Sequence, residues 1–171
     1  EGDPLGWGRS ETLVRARKEE ILAYLWDSTA RCRWGASDLD RAVLERVSDH
    51  HYVGYWCKKG SHGKAFNTDP REGVDDFVWK KTGENSMLFL LSTTQHPERA
   101  LRKGIVRAKS PGSVRIDETR PGLCRITFVN QLDLGGRVPT WFMNHYVVRN
   151  LSLTYRIRCH FQARRGLGKW N

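Results

Sequence analysis

Lys81 and Asn130 are the polar residues whose placement asks for chemistry. In strand alternation Lys81 shares a face with Phe77 and Trp79, and Asn130 shares one with Ile126 and Phe128. An amine or amide on so apolar a face costs several kcal/mol unless it finds a partner. A few polar groups in an apolar cavity are also the usual means of orienting a small molecule. Phe89, Leu91 and Thr93 make a third such face. Alternation alone describes a filled core equally well, and Lys81 has a second reading, a strand end from which its amine reaches water. Arg107 is then the alternative cavity cation.

Catalytic chemistry finds less support. His50 and His51 are the one close histidine pair, and neighbouring strand residues point to opposite faces, so a shared metal is not expected. Asp133 is a candidate acid or base whose simpler role is to cap the turn at Leu134, Gly135 and Gly136. There is no GxSxG, HExxH or phosphate-binding glycine loop. Cys32, Cys57, Cys124 and Cys159 lie far apart, without zinc or CxxC spacing, which fits a reduced, cytoplasmic chain. No catalytic residue, metal or cofactor is expected.

These side chains need elements to hold them. Residues 7–16 read as a strand, and Ile21, Leu22, Leu25 and Trp26 fall at helical spacing. A second short helix is expected over 37–47, with Ser37 as N-cap and Asp38 and Asp40 in its first turn. The period then changes to two. "HYVGYWCK", "DFVWKK", "SMLFLLSTT", "GIVRAK", "SVRIDE" and "CRITFVNQLDL" are strand-length runs divided by turn signals, an antiparallel meander. One polar connection, 59–74, exceeds a hairpin loop. After Gly135 and Gly136, Pro139 suits the first position of a long helix. That helix places Met143, Val147, Asn150, Leu151, Thr154 and Phe161 on one face and His145, Arg149, Arg156 and His160 on the other.

Several motifs resemble the START (steroidogenic acute regulatory protein-related lipid transfer) family. "LWDSTARCRW" resembles its early helix and tryptophan region, "DDFVWKK" its Arg-Asp-Phe-Val strand and "KGIVRA" its Lys-Gly-Val-Val-Arg-Ala strand. "QLDLGGRVPTWFMN" is similar to its Asp-Leu-Lys-Gly-x-Ile-Pro-x-Trp entry to the lid helix. The resemblance runs from about residue 7 to residue 161 and implies an α+β helix-grip fold of the SRPBCC (Bet v 1-like) superfamily. In it a curved antiparallel sheet wraps a long C-terminal helix, with two short helices after the first strand. Asp75 stands where the family has Arg, and Lys81 where some members set a cavity Arg; lysine keeps the charge without the planar fork.

The resemblance further implies a lipid or sterol-like ligand lined by Phe77, Trp79, Lys81, Phe89, Leu91, Arg107, Phe128, Asn130, Met143, Val147, Asn150, Leu151 and Thr154. The chain reads as one START-like domain, 1–171, cut from a longer protein without the usual N-terminal helix and strand pair, and as a monomer. Its net charge of +10 is uneven, with no Asp or Glu from Leu134 onward. A transient anionic membrane partner is therefore expected, met by Arg149 and Arg156 with the interfacial aromatics Trp141 and Phe142. A nucleic-acid or protein interaction module with a filled core and a helix-grip cyclase or hydrolase are the alternatives. No recognition helix or aromatic RNA-binding motif supports nucleic acid.

Overall fold

The computed structural model of the chain describes residues 7–60, 67–136 and 138–164, with the backbone alone at 140–142 and 164. The first strand, β1 (Trp7–Val14), turns Gly8, Ser10, Thr12 and Val14 inward and alternates them with exposed residues. In the helix that follows, α1 (Lys18–Trp26), Ile21, Leu22 and Leu25 are the buried face. Glu20 Oε2 accepts the Arg17 amide at 2.8 Å, satisfying a donor at the open N-terminus.

Seven more strands follow: β2 (Asp38–Ser48), β3 (His51–Lys58), β4 (Arg71–Gly83), β5 (Ser86–Thr93), β6 (Val106–Arg107), β7 (Gly112–Arg120) and β8 (Leu123–Gln131). Their order is β1-β8-β7-β5-β4-β3-β2, antiparallel between all neighbours. The sheet is crossed by α2 (Thr140–Leu151) and α3 (Leu153–Arg164), which pack on β1 and β8, while α1 packs on β5 and β7. The main core lies between these helices and one sheet face, where Tyr52, Phe89, Ile116 and Ile126 meet Ile21, Leu25 and Ile157. This is the expected helix-grip arrangement.

Four local expectations are corrected. The helix expected over 37–47 is the strand β2, paired with β3 from Asp38↔Lys58 to Ser48↔His51. Ser37 caps no helix; its carbonyl accepts from the Lys59 amide, and Asp38 binds the Gly35 amide and Arg41. Register shifts at three points blur the period of two, and cross-strand pairing overrides local propensity. Second, the strand expected in "GIVRAK" shrinks to β6, which runs parallel to the start of β4 and outside the meander. Third, Pro139 precedes the helix in an extended conformation, and Thr140 is the first helical residue.

Fourth, the C-terminal helix is two helices divided at Ser152. The Ser10 hydroxyl donates to the Leu151 carbonyl at 2.8 Å, and Thr154 Oγ1 reaches the same oxygen at 3.4 Å. Side-chain donors on that carbonyl compete with the helical ladder at the break. The turn before α2 is as expected: Gly135 and Gly136 have φ of +65° and +69°, and Asp133 Oδ1 accepts the Gly135 amide at 2.8 Å.

Candidate functional site

Register sets what the inner face offers. Phe77 pairs with Tyr52 and Leu91, Leu91 with Gly112, and Gly112 with Asn130, so these five residues form one row across the sheet. The next row toward the start of β4 holds Gly54, Asp75 and Thr93. Beyond it Trp56 faces Gly73 and Lys58 faces Arg71. A Cβ on Gly54 or Gly73 would collide with the Phe77 or Trp56 ring, so glycine lets both rings lie flat on the sheet.

Asp75 is the unusual member. It is 1% exposed, Trp56 Nε1 donates to its Oδ2 at 2.8 Å, and its Oδ1 has no hydrogen-bond partner. Burial pushes the carboxyl up to about 6, against the opposing pull of the Trp56 and Thr93 donors. The Thr93 hydroxyl beside it is buried and closes no hydrogen bond of good geometry, although it too draws on the carboxyl. A buried carboxyl and a buried hydroxyl thus lie side by side on the inner face, with Lys58 and Arg71 two rows further on. This site was missed from sequence, although the alternation that put Phe77 inside puts Asp75 there too.

Asn130 lies where its strand phase puts it, and its polar atoms are occupied. Its Nδ2 donates to the Ser110 carbonyl and hydroxyl and to the Pro111 carbonyl, and its Oδ1 accepts from Asn150 Nδ2. The Asn130–Asn150 pair fastens α2 to β8. Thr154 is buried and touches Ser10 Oγ at 3.3 Å, and Leu151 lies over Gly8. Met143 and Val147 pack on the buried pair Leu132 and Leu134. Phe77, Phe89 and Phe128 are buried in the main core, with Trp79 and Leu91 half-buried against it.

The two proposed cavity cations are elsewhere. Lys81 is exposed near the end of β4, where the sheet has run out past the core. Arg107 belongs to the opposite, outer face. There Glu72, 1% exposed, accepts from Tyr55 Oη at 2.9 Å, Arg102 Nη2 at 2.6 Å and Arg107 Nη2 at 3.0 Å. Burial pushes the Glu72 carboxyl up, but these three donors outweigh it and hold it below the ordinary value. On the helices His145 and Arg149 are exposed as expected, whereas His160 turns inward onto Tyr24, ring centroids 4.4 Å apart. The side chains of Trp141 and Phe142 lie outside the described residues.

The candidate acids and bases are otherwise engaged: His50 packs edge-on against Trp79, His51 Nε2 is 2.6 Å from Asp76 Oδ1, and Asp133 holds its turn. Among the described residues no three His, Cys, Asp or Glu side chains gather in a metal-binding group, and no helix is long and apolar enough to cross a membrane.

Comparison with known proteins agrees with this geometry. The family model for the START domain matches residues 7–163. The chain is 27% identical over 130 residues to START domain-containing protein 10 of Mus musculus and Homo sapiens, across 74% of its own length and 42% of theirs. It thus spans less than half the length of these curated relatives. Its structure is similar to the human StarD13 (DLC2) lipid transfer and protein localization domain, with a TM-score of 0.78 at 22% identity over 94% of this chain and 79% of that one. It is more distantly similar to the Zhui aromatase/cyclase from a Streptomyces species, with a TM-score of 0.57 at 10% identity over 94% and 96% of the two chains.

Proposed function

The chain belongs to the START domain family, and we propose that it holds a lipid or sterol-like molecule between the inner sheet face and α2, for lipid transfer or sensing at membranes. The observation that carries this reading is the row of Asp75 and Thr93. A filled core satisfies its buried polar atoms, whereas the Asp75 carboxyl, drawn on by Trp56 and by the adjoining Thr93 hydroxyl, keeps Oδ1 without a closed hydrogen bond, a place that a donor on the ligand would fill. The half-buried Leu91 and Trp56 beside them would meet the apolar body of such a ligand. With α2 as a lid, Met143, Val147 and Leu151 would close over it, and Asn130 and Asn150 would latch it.

Membrane contact is part of the same proposal. Arg149 is exposed on α2, and with Trp141 and Phe142 it would meet acidic head groups at about 1 kcal/mol per cation. Such contact is reversible and screened by salt.

The proposal is checked by bulk. Leu91→Trp and Val147→Trp should each lower lipid loading about tenfold, because space meant for ligand is filled at a cost of about 1 to 3 kcal/mol. Native mass spectrometry after incubation with mixed lipid vesicles reads the loading directly. Parent protein that takes up no lipid, or variants that load normally but melt earlier, would identify a filled interaction module.

A further inference from the structure

A second concavity lies at the β2 margin of the inner sheet face, where Arg41 pairs with Trp56, and the lipid reading assigns no role to its charged lining. It has a volume of about 420 Å³ and opens between α3 and the segment joining α1 to β2. Arg33, Arg41 and Arg156 line it with Tyr24, Trp34 and His160, and no carboxylate is among the lining side chains. Three guanidiniums in one hollow repel one another, and only one is neutralised. Arg41 is spoken for: its Nε and Nη2 bind Asp38 Oδ1 and its Nη1 donates to the Ser28 carbonyl. Arg33 donates from Nη1 to the Leu25 carbonyl at 2.6 Å, an anchor that fixes its fork without balancing its charge. Neither Arg33 nor Arg156 has a carboxylate within ion-pair distance among the described residues.

We propose that this pocket binds a phosphomonoester. Arginine forks match the several oxygens of a phosphate and exchange parallel hydrogen bonds with it. A phosphomonoester carries about −1.5 to −2 charge at neutral pH, which balances the two uncompensated guanidiniums. Tyr24 and Trp34 form the aromatic rim of the pocket and are fixed in place, Trp34 by its donation to the Thr29 carbonyl at 3.0 Å and by the Arg31 guanidinium 4.1 Å over its ring, Tyr24 by His160 and Arg33. The electrostatic state of the pocket agrees. Burial lowers the pKa of Arg33, with Arg41 and Arg156 adding to the effect. Lys58, next along the same basic arc, is brought down to about 8 by burial, with Arg41, Arg156 and Arg149 adding to the effect. An anion in the pocket would relieve the crowded guanidiniums that line it.

The phosphate has two sources to distinguish, a lipid head group or a soluble ester, and the test separates them. Glycerol 3-phosphate is titrated calorimetrically against the purified protein, and vesicles containing phosphatidate are compared with vesicles of equal charge containing phosphatidylglycerol, a diester. Arg156→Gln, at the exposed rim, should weaken whichever monoester binds by about tenfold or more, the loss expected for one hydrogen bond to a charged group. Arg33→Gln should do the same if it remains folded by its melting curve. Binding of glycerol 3-phosphate with this dependence shows an open soluble-ester site; binding to phosphatidate vesicles alone, with the same dependence, assigns the site to lipid. Three results overturn the proposal: no binding of either monoester, no effect of Arg156→Gln, or equal retention on phosphatidylglycerol vesicles. The proposal does not depend on an apolar ligand in the sheet, so loss of one leaves the other intact.

Discussion

Asp75→Asn is expected to raise the melting temperature of the ligand-free protein by about 6 °C at pH 7.5, and the gain should vanish near pH 4. The Asp75 carboxyl titrates at about 6 in the folded chain against an ordinary value of 3.8, chiefly because burial disfavours its charge. A carboxylate whose folded pKa is raised binds its proton more tightly in the native state, so native stability falls as pH climbs from about 4 to 6 and stays low above. A rise of that size corresponds to about 2 to 3 kcal/mol at neutral pH, and about 2 kcal/mol moves the midpoint of a chain this long by about 6 °C. Asparagine keeps an acceptor for Trp56 Nε1 and adds a donor that the neighbouring Thr93 hydroxyl can accept. Differential scanning calorimetry at the two pH values decides the matter. An equal shift at both, or a loss at pH 7.5, would show that the carboxylate is not under strain.

Glu72→Ala should have the opposite sign and a comparable size. Glu72 is the shared acceptor for Tyr55, Arg102 and Arg107 on the outer face, and removing one member of a buried charged cluster leaves the others uncompensated. Arg107 is the chief liability, since its Nε already lacks a partner. A loss of about 3 kcal/mol is expected, or about 9 °C in melting temperature. Lipid loading below the melting transition should be unchanged, because Glu72 lies on the face opposite Phe77. A variant that stayed folded and lost its lipid would mean the outer cluster shapes the site through the sheet.

The two acids also show what a sequence can and cannot disclose here. The strands β3 to β5, β7 and β8 were legible because Phe77, Trp79, Phe89 and Ile126 alternate without interruption, and motif order supplied the fold around them. β2 was not, because Ser37, Asp38 and Asp40 imitate the start of a helix, while the evidence for a strand lay in the partner β3 and in irregular pairing that hides the alternation. Arg107 was offered as the cavity cation in case Lys81 reached water, yet a two-residue strand has no period to read. Its face is decided by the pairing of Glu72 with Arg107, a contact across 35 residues. Lys81 failed for a different reason: alternation predicts a face and not where the core ends. Asp75 was readable in principle, since it stands two residues before Phe77, but charge on an inner face is the pattern that composition teaches a reader to discount.

The break at Ser152 divides the C-terminal helix into parts of unequal commitment. α3 sinks Thr154, Ile157 and Phe161 into the core, and Ser10 fastens its start to the sheet edge. By contrast Met143, Tyr146 and Val147 of α2 are only partly covered, packed on Leu132 and Leu134. If each such half-buried side chain, Leu151 included, contributes about 1 kcal/mol and the Asn130–Asn150 hydrogen bond about 1 kcal/mol more, detaching α2 against these contacts costs about 5 kcal/mol, so roughly one molecule in five thousand stands open at any instant. That population is well above the globally unfolded one of a domain whose stability is about 10 kcal/mol, the middle of the ordinary range. A bound molecule would therefore depart through a rare but native excursion, on a timescale set by one half of one helix and independent of how firmly the rest of the domain is folded.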